Sequence, residues 1–110
     1  MALWCATARL IRERFPAARF WIVGEGPERA VVERELAGFG DCARLFGAVN
    51  HGDLPALYAK ASLFLFTSIF EGLGRVVVEA MMAGLPVIST DIVGPQDLIE
   101  DERTGRLVRP

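Results

Sequence analysis

The sequence predicts an α/β fold built on a doubly wound parallel sheet. Three observations lead there. The run Leu63-Phe64-Leu65-Phe66 is followed by a glycine-containing loop and then by a helical pattern from Arg75. Apolar residues without alternation read as a strand buried on both faces, as in a parallel sheet. Arg19 to Val23 leads in the same way through Gly24-Glu25-Gly26-Pro27 into a second helical pattern. Finally, helix-like and strand-like segments alternate along the chain, with five strand-like runs in all, which is the order of an α/β layout.

Taken in order, Leu3 to Phe15 reads as a helix. Leu3, Ala6, Leu10 and Ile11 form its apolar stripe, Trp4 is a core residue, and Pro16 stops it. Arg19 to Val23 is rich in aromatic and β-branched residues and reads as a strand. Pro27 suits the first helical position, and Glu28 to Ala37 follows as a helix with Val31, Val32 and Leu36 inward. Gly38 and Gly40 end it. Ala43 to Phe46 is a short strand. Asp53 can cap the next helix, where Leu54, Leu57, Tyr58 and Ala61 share a face. Ser62 to Phe66 is the buried strand. Arg75 to Ala83 is a helix ended by Gly84 at its C-cap, with Met81 and Met82 in the core. Pro86 opens a strand, where its missing N–H is tolerated. Thr90 to Asp97 is a loop into a short helix, and Arg106 to Val108 is the last strand.

Composition narrows the function classes. With 110 residues, 52% hydrophobic and 24% charged, the chain suits one small globular domain over 1–110. The net charge of −2 argues against a nucleic-acid surface. No apolar run approaches the roughly 20 residues of a membrane helix. Cys5 and Cys42 lack metal-ligand spacing and read as buried thiols in a reducing compartment.

The chemistry concentrates between Thr67 and Met81. Ligands of open α/β sheets bind outside the carboxyl ends of the strands, and Glu71 lies there. Gly72 and Gly74 allow close backbone approach or positive φ. The helix start beside them offers open N–H groups and a positive dipole end, which suit phosphate. Glu79 lies roughly 7.5 Å further along the helix axis, at about 1.5 Å per residue. There its carboxylate could accept hydrogen bonds from sugar hydroxyls. By spacing alone, a capped helix with a Gly-rich turn and a solvated glutamate explains the stretch equally well.

The residues themselves add a resemblance. Glu71-Gly-x-Gly, Glu79-Ala-Met and Gly84-Leu-Pro-Val resemble the donor-binding signature of retaining glycosyltransferases of family four, which have the GT-B fold. In both, seven residues separate the two glutamates. The likeness runs from Phe20 to Val108 through Ile22-Val23-Gly24-Glu25-Gly26-Pro27, Leu45-Phe46-Gly47, Leu57-Tyr58-Ala59 and Thr104-Gly105-Arg106-Leu107-Val108. It implies a Rossmann-like C-terminal GT-B domain that binds a nucleotide-diphosphate-sugar donor, with no cofactor and no metal; no Asp-x-Asp motif occurs.

By that resemblance, Glu71 is the catalytic residue, contacting the donor sugar and the positive charge at its reacting carbon. Gly72, Leu73, Gly74 and Arg75 hold sugar and phosphate, and Glu79 binds the ribose. Gly24 and Gly26 line the donor cleft, and the backbone near Val49 faces the base. A tight turn explains Glu25 as well as a cleft role does. His51, the single histidine, is expected in a loop or at a helix start.

The resemblance also implies that parts of such an enzyme are missing. These are the first, central strand with its Gly-Arg end, a helix-start Lys, the closing helices and the N-terminal acceptor domain. Without the Arg and Lys, donor affinity should fall by orders of magnitude, because each charge-assisted hydrogen bond is worth roughly 1.5–3 kcal/mol. Without the central strand, two strand edges stay unpaired. The isolated chain is therefore expected to be inactive, and either marginally stable or self-associated. A cytoplasmic location follows from the resemblance, with peripheral association at the inner membrane face as a variant; the acceptor is open.

Local departures are Thr67 before Ser68, Arg75, Val93-Gly94-Pro95 and Asp97; they bear on sugar preference. A non-catalytic nucleotide-sugar-binding module, or the remnant of a truncated gene, is the alternative reading. A dinucleotide-dependent oxidoreductase fits less well, since Gly24-Glu25-Gly26-Pro27-Glu28-Arg29 lacks the third glycine.

Overall fold

The computed structural model describes residues 1–110. It forms two compact units, Met1–His51 and Gly52–Pro110. Every strand ladder is parallel, as the α/β reading requires. The strands form two separate sheets, one of two strands and one of three.

In the first unit, helix α1 (Ala2–Arg14) precedes strand β1 (Phe20–Val23), helix α2 (Arg29–Leu36), a 3-10 segment (Ala37–Cys42) and strand β2 (Ala43–Gly47). β1 pairs with β2 from Phe20–Ala43 to Val23–Gly47, with a register irregularity at Ile22/Val23. Ala8, Phe20, Val32, Leu36 and Phe39 form the core, with Trp4 and Ile11 packed against it. Phe20 is held between two rings, edge-on to Trp4 at 6.1 Å and to Phe39 at 5.5 Å.

Three expectations change here. The buried face of α1 is Trp4, Cys5, Ala8 and Ile11, while Leu3, Ala6 and Leu10 lie outward. The small side chains of Cys5 and Ala8 fill the inner position, flanked by Trp4 and Ile11, and that outweighs the larger Leu stripe. Val31 is also largely exposed. Helix α2 starts at Arg29, so Pro27 sits in the preceding turn, where the Arg29 N–H donates to the Gly26 carbonyl at 3.1 Å. Cys5 and Cys42 are free thiols, buried and half-buried. Burial, reinforced by Glu35, pushes the Cys5 thiol up.

In the second unit, a 3-10 turn (His51–Asp53) leads into helix α3 (Leu54–Tyr58) and strand β3 (Phe64–Phe66). Then come helix α4 (Arg75–Met82), strand β4 (Val87–Thr90), helix α5 (Pro95–Leu98) and strand β5 (Arg106–Val108). The strand order is β3-β4-β5. Val77, Ala80, Leu85, Val87 and Ile99 form the core, joined by Tyr58, Phe64, Phe66 and Leu107.

The centre of this sheet is β4, whose Val87, Ser89 and Thr90 are buried. β3 is an edge strand, so its three residues are only half-buried and Leu63 before it is exposed. A run of Leu and Phe cannot distinguish a central strand from an edge strand covered by helices. Asp53 does not cap α3, because its backbone is already helical and continues the 3-10 turn. Met81 packs on the core, but Met82 is 84% exposed. Gly84, at φ 77°, ends α4 as foreseen. Its N–H donates to Met81 O and the Leu85 N–H to Ala80 O, both at 3.0 Å, the paired bonds of a Schellman ending. No helix is long and apolar enough to cross a membrane.

Candidate functional site

The loop from Thr67 to Gly74 leaves the carboxyl end of β3 and enters α4. Its first half is pinned by hydroxyls. Thr90 Oγ1, at the end of β4, donates to the Ser68 carbonyl, and Ser68 Oγ donates to the Phe70 carbonyl at 2.7 Å. Ile69, Phe70 and Leu73 are exposed. Glu71 is half-buried, and its Oε1 accepts the N–H of Gly72 at 3.0 Å.

The two glycines do different work. Gly74 is buried and left-handed, at φ 68° and ψ 44°, and forms the N-cap of α4. Gly72 has no positive φ, and a Cβ there would meet nothing within 4 Å. The fold of this chain therefore gives no steric reason for glycine at position 72.

Helix α4 has no side-chain cap. The Val77 N–H folds back to the Gly74 carbonyl at 2.8 Å, while the N–H groups of Arg75 and Val76 meet no acceptor of the chain. Such open donors, with the helix dipole behind them, are what an anion needs. The Arg75 side chain is exposed and belongs to none of the ion pairs. Further along α4, Glu79 is half-buried and accepts the Tyr58 hydroxyl at 3.3 Å on Oε2. Burial, followed by the Glu79 charge and this hydrogen bond, pushes the Tyr58 phenol up to about 12.

A second loop braces the first. Gly94 (φ 96°) and Pro95 are buried at the start of α5. A Cβ on Gly94 would lie 2.8 Å from the Gly72 carbonyl oxygen, and Pro95 is in ordinary contact with the Cβ position of Gly74. This bracing, and the Tyr58–Glu79 bond, escaped the sequence reading. Gly94-Pro95 before a short helix is the one local signal that could have suggested the brace.

Gly24, Gly26 and Val49 belong to the first unit. Gly24 (φ 124°) closes β1, with its N–H on the Gly47 carbonyl at 2.8 Å. Gly26 has open space at its Cβ position. Glu25 Oε1 accepts from Arg29 at 2.6 Å and from the Ala48 N–H at 3.3 Å, which makes it a strap across the turn. Val49 is half-buried after β2, and His51 is exposed at the start of the 3-10 turn. A depression of about 520 Å³ is lined by Arg9, Arg12, Glu35 and Phe39. Its cations are already engaged, Arg9 by Glu35 and Arg12 by the Gly38 carbonyl and the Phe39 ring.

Residues 2–110 match the family described as glycosyl transferases group 1. The chain belongs to that family.

Among its relatives, the alpha-D-kanosaminyltransferase of Streptomyces kanamyceticus is 34% identical over 107 residues, covering 96% of this chain and 28% of the relative. The crystal structure of TarM superposes with a TM-score of 0.89 at 29% identity, over 98% of this chain and 22% of that one. The pneumococcal O-GlcNAc transferase GtfA, solved in complex with UDP and GlcNAc, gives 0.86 at 30% identity, over 98% and 21%. The α/β architecture with parallel strands is that of these GT-B neighbours. This group 1 chain spans 18–28% of the length of the first curated relatives it matches.

Proposed function

We propose that this chain supplies the nucleotide-sugar donor site of a retaining, family-four glycosyltransferase, as its C-terminal GT-B domain. The observation that carries the reading is the Glu71–Gly72 loop feeding an uncapped helix whose first N–H groups are open, with Glu79 on the same helix.

In this reading the donor diphosphate lies on the N–H groups of Arg75 and Val76 and is met by the Arg75 guanidinium. These donors stabilise the leaving group as negative charge builds on it. The Cβ space open at Gly72 lets the sugar approach the backbone. Glu71 accepts hydrogen bonds from the sugar hydroxyls and faces the positive charge at the reacting carbon. Glu79 accepts from the ribose hydroxyls. For Gly24, Gly26 and Val49, in the first unit, a donor-binding role rests on the resemblance alone. Uridine diphosphate is the first nucleotide to try, since the structural neighbour GtfA was solved with UDP. The acceptor, and any peripheral membrane association, belong to the whole enzyme.

The test is steady-state kinetics of the complete enzyme. Glu71→Gln should mainly lower kcat, and Glu79→Ala should mainly raise the donor KM. An unchanged kcat in the Glu71 variant would remove its assigned role. A product of inverted anomeric configuration would remove retention.

A further inference from the structure

We propose that Tyr58 is a positioning residue for the donor nucleotide: its hydroxyl holds the Glu79 carboxylate where ribose hydroxyls can reach it. The proposal rests on the reading that Glu79 binds the ribose, and it adds the residue that aims it.

Tyr58 ends α3, and its ring packs edge-on against Phe64 of β3 at 6.0 Å. That ring contact with the core fixes where the hydroxyl points. The hydroxyl donates to Glu79 Oε2 at 3.3 Å in a part-buried setting. Glutamate has a flexible stem with much rotamer freedom to lose on binding, so a fixed donor beside it pre-orients the carboxylate. The bond is long for an O–H···O contact, so it restrains the carboxylate and still lets it adjust to a ligand. A carboxylate has about four acceptor positions, so it can accept from a phenol and from ribose hydroxyls together. The phenol also stays protonated, and so remains a donor, far above neutral pH.

A purely structural Tyr58 would weaken all ligands alike when altered. A positioning Tyr58 would weaken only ligands that have ribose hydroxyls. The experiment is an equilibrium binding titration of the complete enzyme, as wild type and as Tyr58→Phe. The probes are UDP, GDP and their 2′,3′-dideoxy analogues. The wild type should prefer the ribonucleotide, and Tyr58→Phe should reduce that preference roughly three- to tenfold, a part of what a hydrogen bond to a charged carboxylate is worth.

An unchanged preference in Tyr58→Phe would overturn the inference and leave the Glu79–ribose reading standing. No preference in the wild type, or no binding of either nucleotide, would overturn that reading and the inference with it. Should Tyr58→Phe fail to fold, the wild type still decides. The NMR signals of its labelled Tyr58 ring should shift with the bound ribonucleotide and stay put with the dideoxy analogue; the same shift with both overturns the inference.

Discussion

The Cβ position of Gly94 lies 2.8 Å from the carbonyl oxygen of Gly72. Real Cβ atoms do not come that close to a backbone oxygen. Gly94 also has φ 96° and ψ −78°, outside the range open to other residues. Two backbones therefore meet with no side chain between them, and the loop before α5 sets the height of the loop before α4. Gly94→Ala should cost about 1–3 kcal/mol from its backbone conformation alone, and more from the contact. Denaturant unfolding measures this, and an unshifted midpoint would mean that the loops do not touch.

Gly72→Ala should behave in the opposite way. Its φ is not positive and its Cβ position is empty, so the unfolding midpoint should stay within the small range of surface substitutions, about 0.5 kcal/mol. Donor binding should nevertheless weaken, because the methyl group occupies space proposed for the sugar. Gly74→Ala, at φ 68°, is the control that should lose about 1–2 kcal/mol of stability. Full donor affinity in Gly72→Ala, measured by titration, would move the sugar away from this loop.

Much of this site was legible because it is local. Glu71, Gly74 and Glu79 lie on one strand–loop–helix unit, so their placement follows from spacing along it, while the roles proposed for them come from the resemblance. The helix end at Gly84 was equally legible, since a left-handed glycine after an apolar helical run has few other uses. Contacts between distant segments were not. Tyr58 and Glu79 are 21 positions apart, and periodicity says nothing about which helix faces which. The burial of β3 was misjudged for the same reason: its sequence shows an apolar strand, but the place of β4 beside it is a property of the whole sheet. In α1 the Leu stripe looked inward, yet Cys5 and Ala8 occupy the core side. Small residues mark close packing only once the neighbouring surface is known.

The chain's single tyrosine makes the Tyr58 environment directly measurable. Phenolate absorbance should report a midpoint near 12 in the folded chain and near 10 in denaturant. The folded value is raised above the unfolded one, so the stabilising contribution is complete below about pH 10 and is lost as pH rises toward 12. Tyr58→Phe should flatten that alkaline decline. Glu79→Gln should lower the folded midpoint only in part, because burial is the larger cause. A folded midpoint near 10 would show that the phenol is solvated and away from Glu79.

The strand edges lead to the last prediction. β1 and β2 form a sheet of two strands, and β3 and β5 flank β4. A pair of strands alone is marginal in water, and unpaired edges recruit other chains. Trp21, Val23 and Val108 lie on these strands and are 37%, 39% and 48% exposed. We expect the isolated chain to sediment as dimers or larger species, or to melt with low cooperativity. Val23→Lys should reduce association, since a charge on an edge strand opposes pairing. A monodisperse monomer with one sharp thermal transition would show that the two small sheets are satisfied as they stand, and that self-association has no physical driver here.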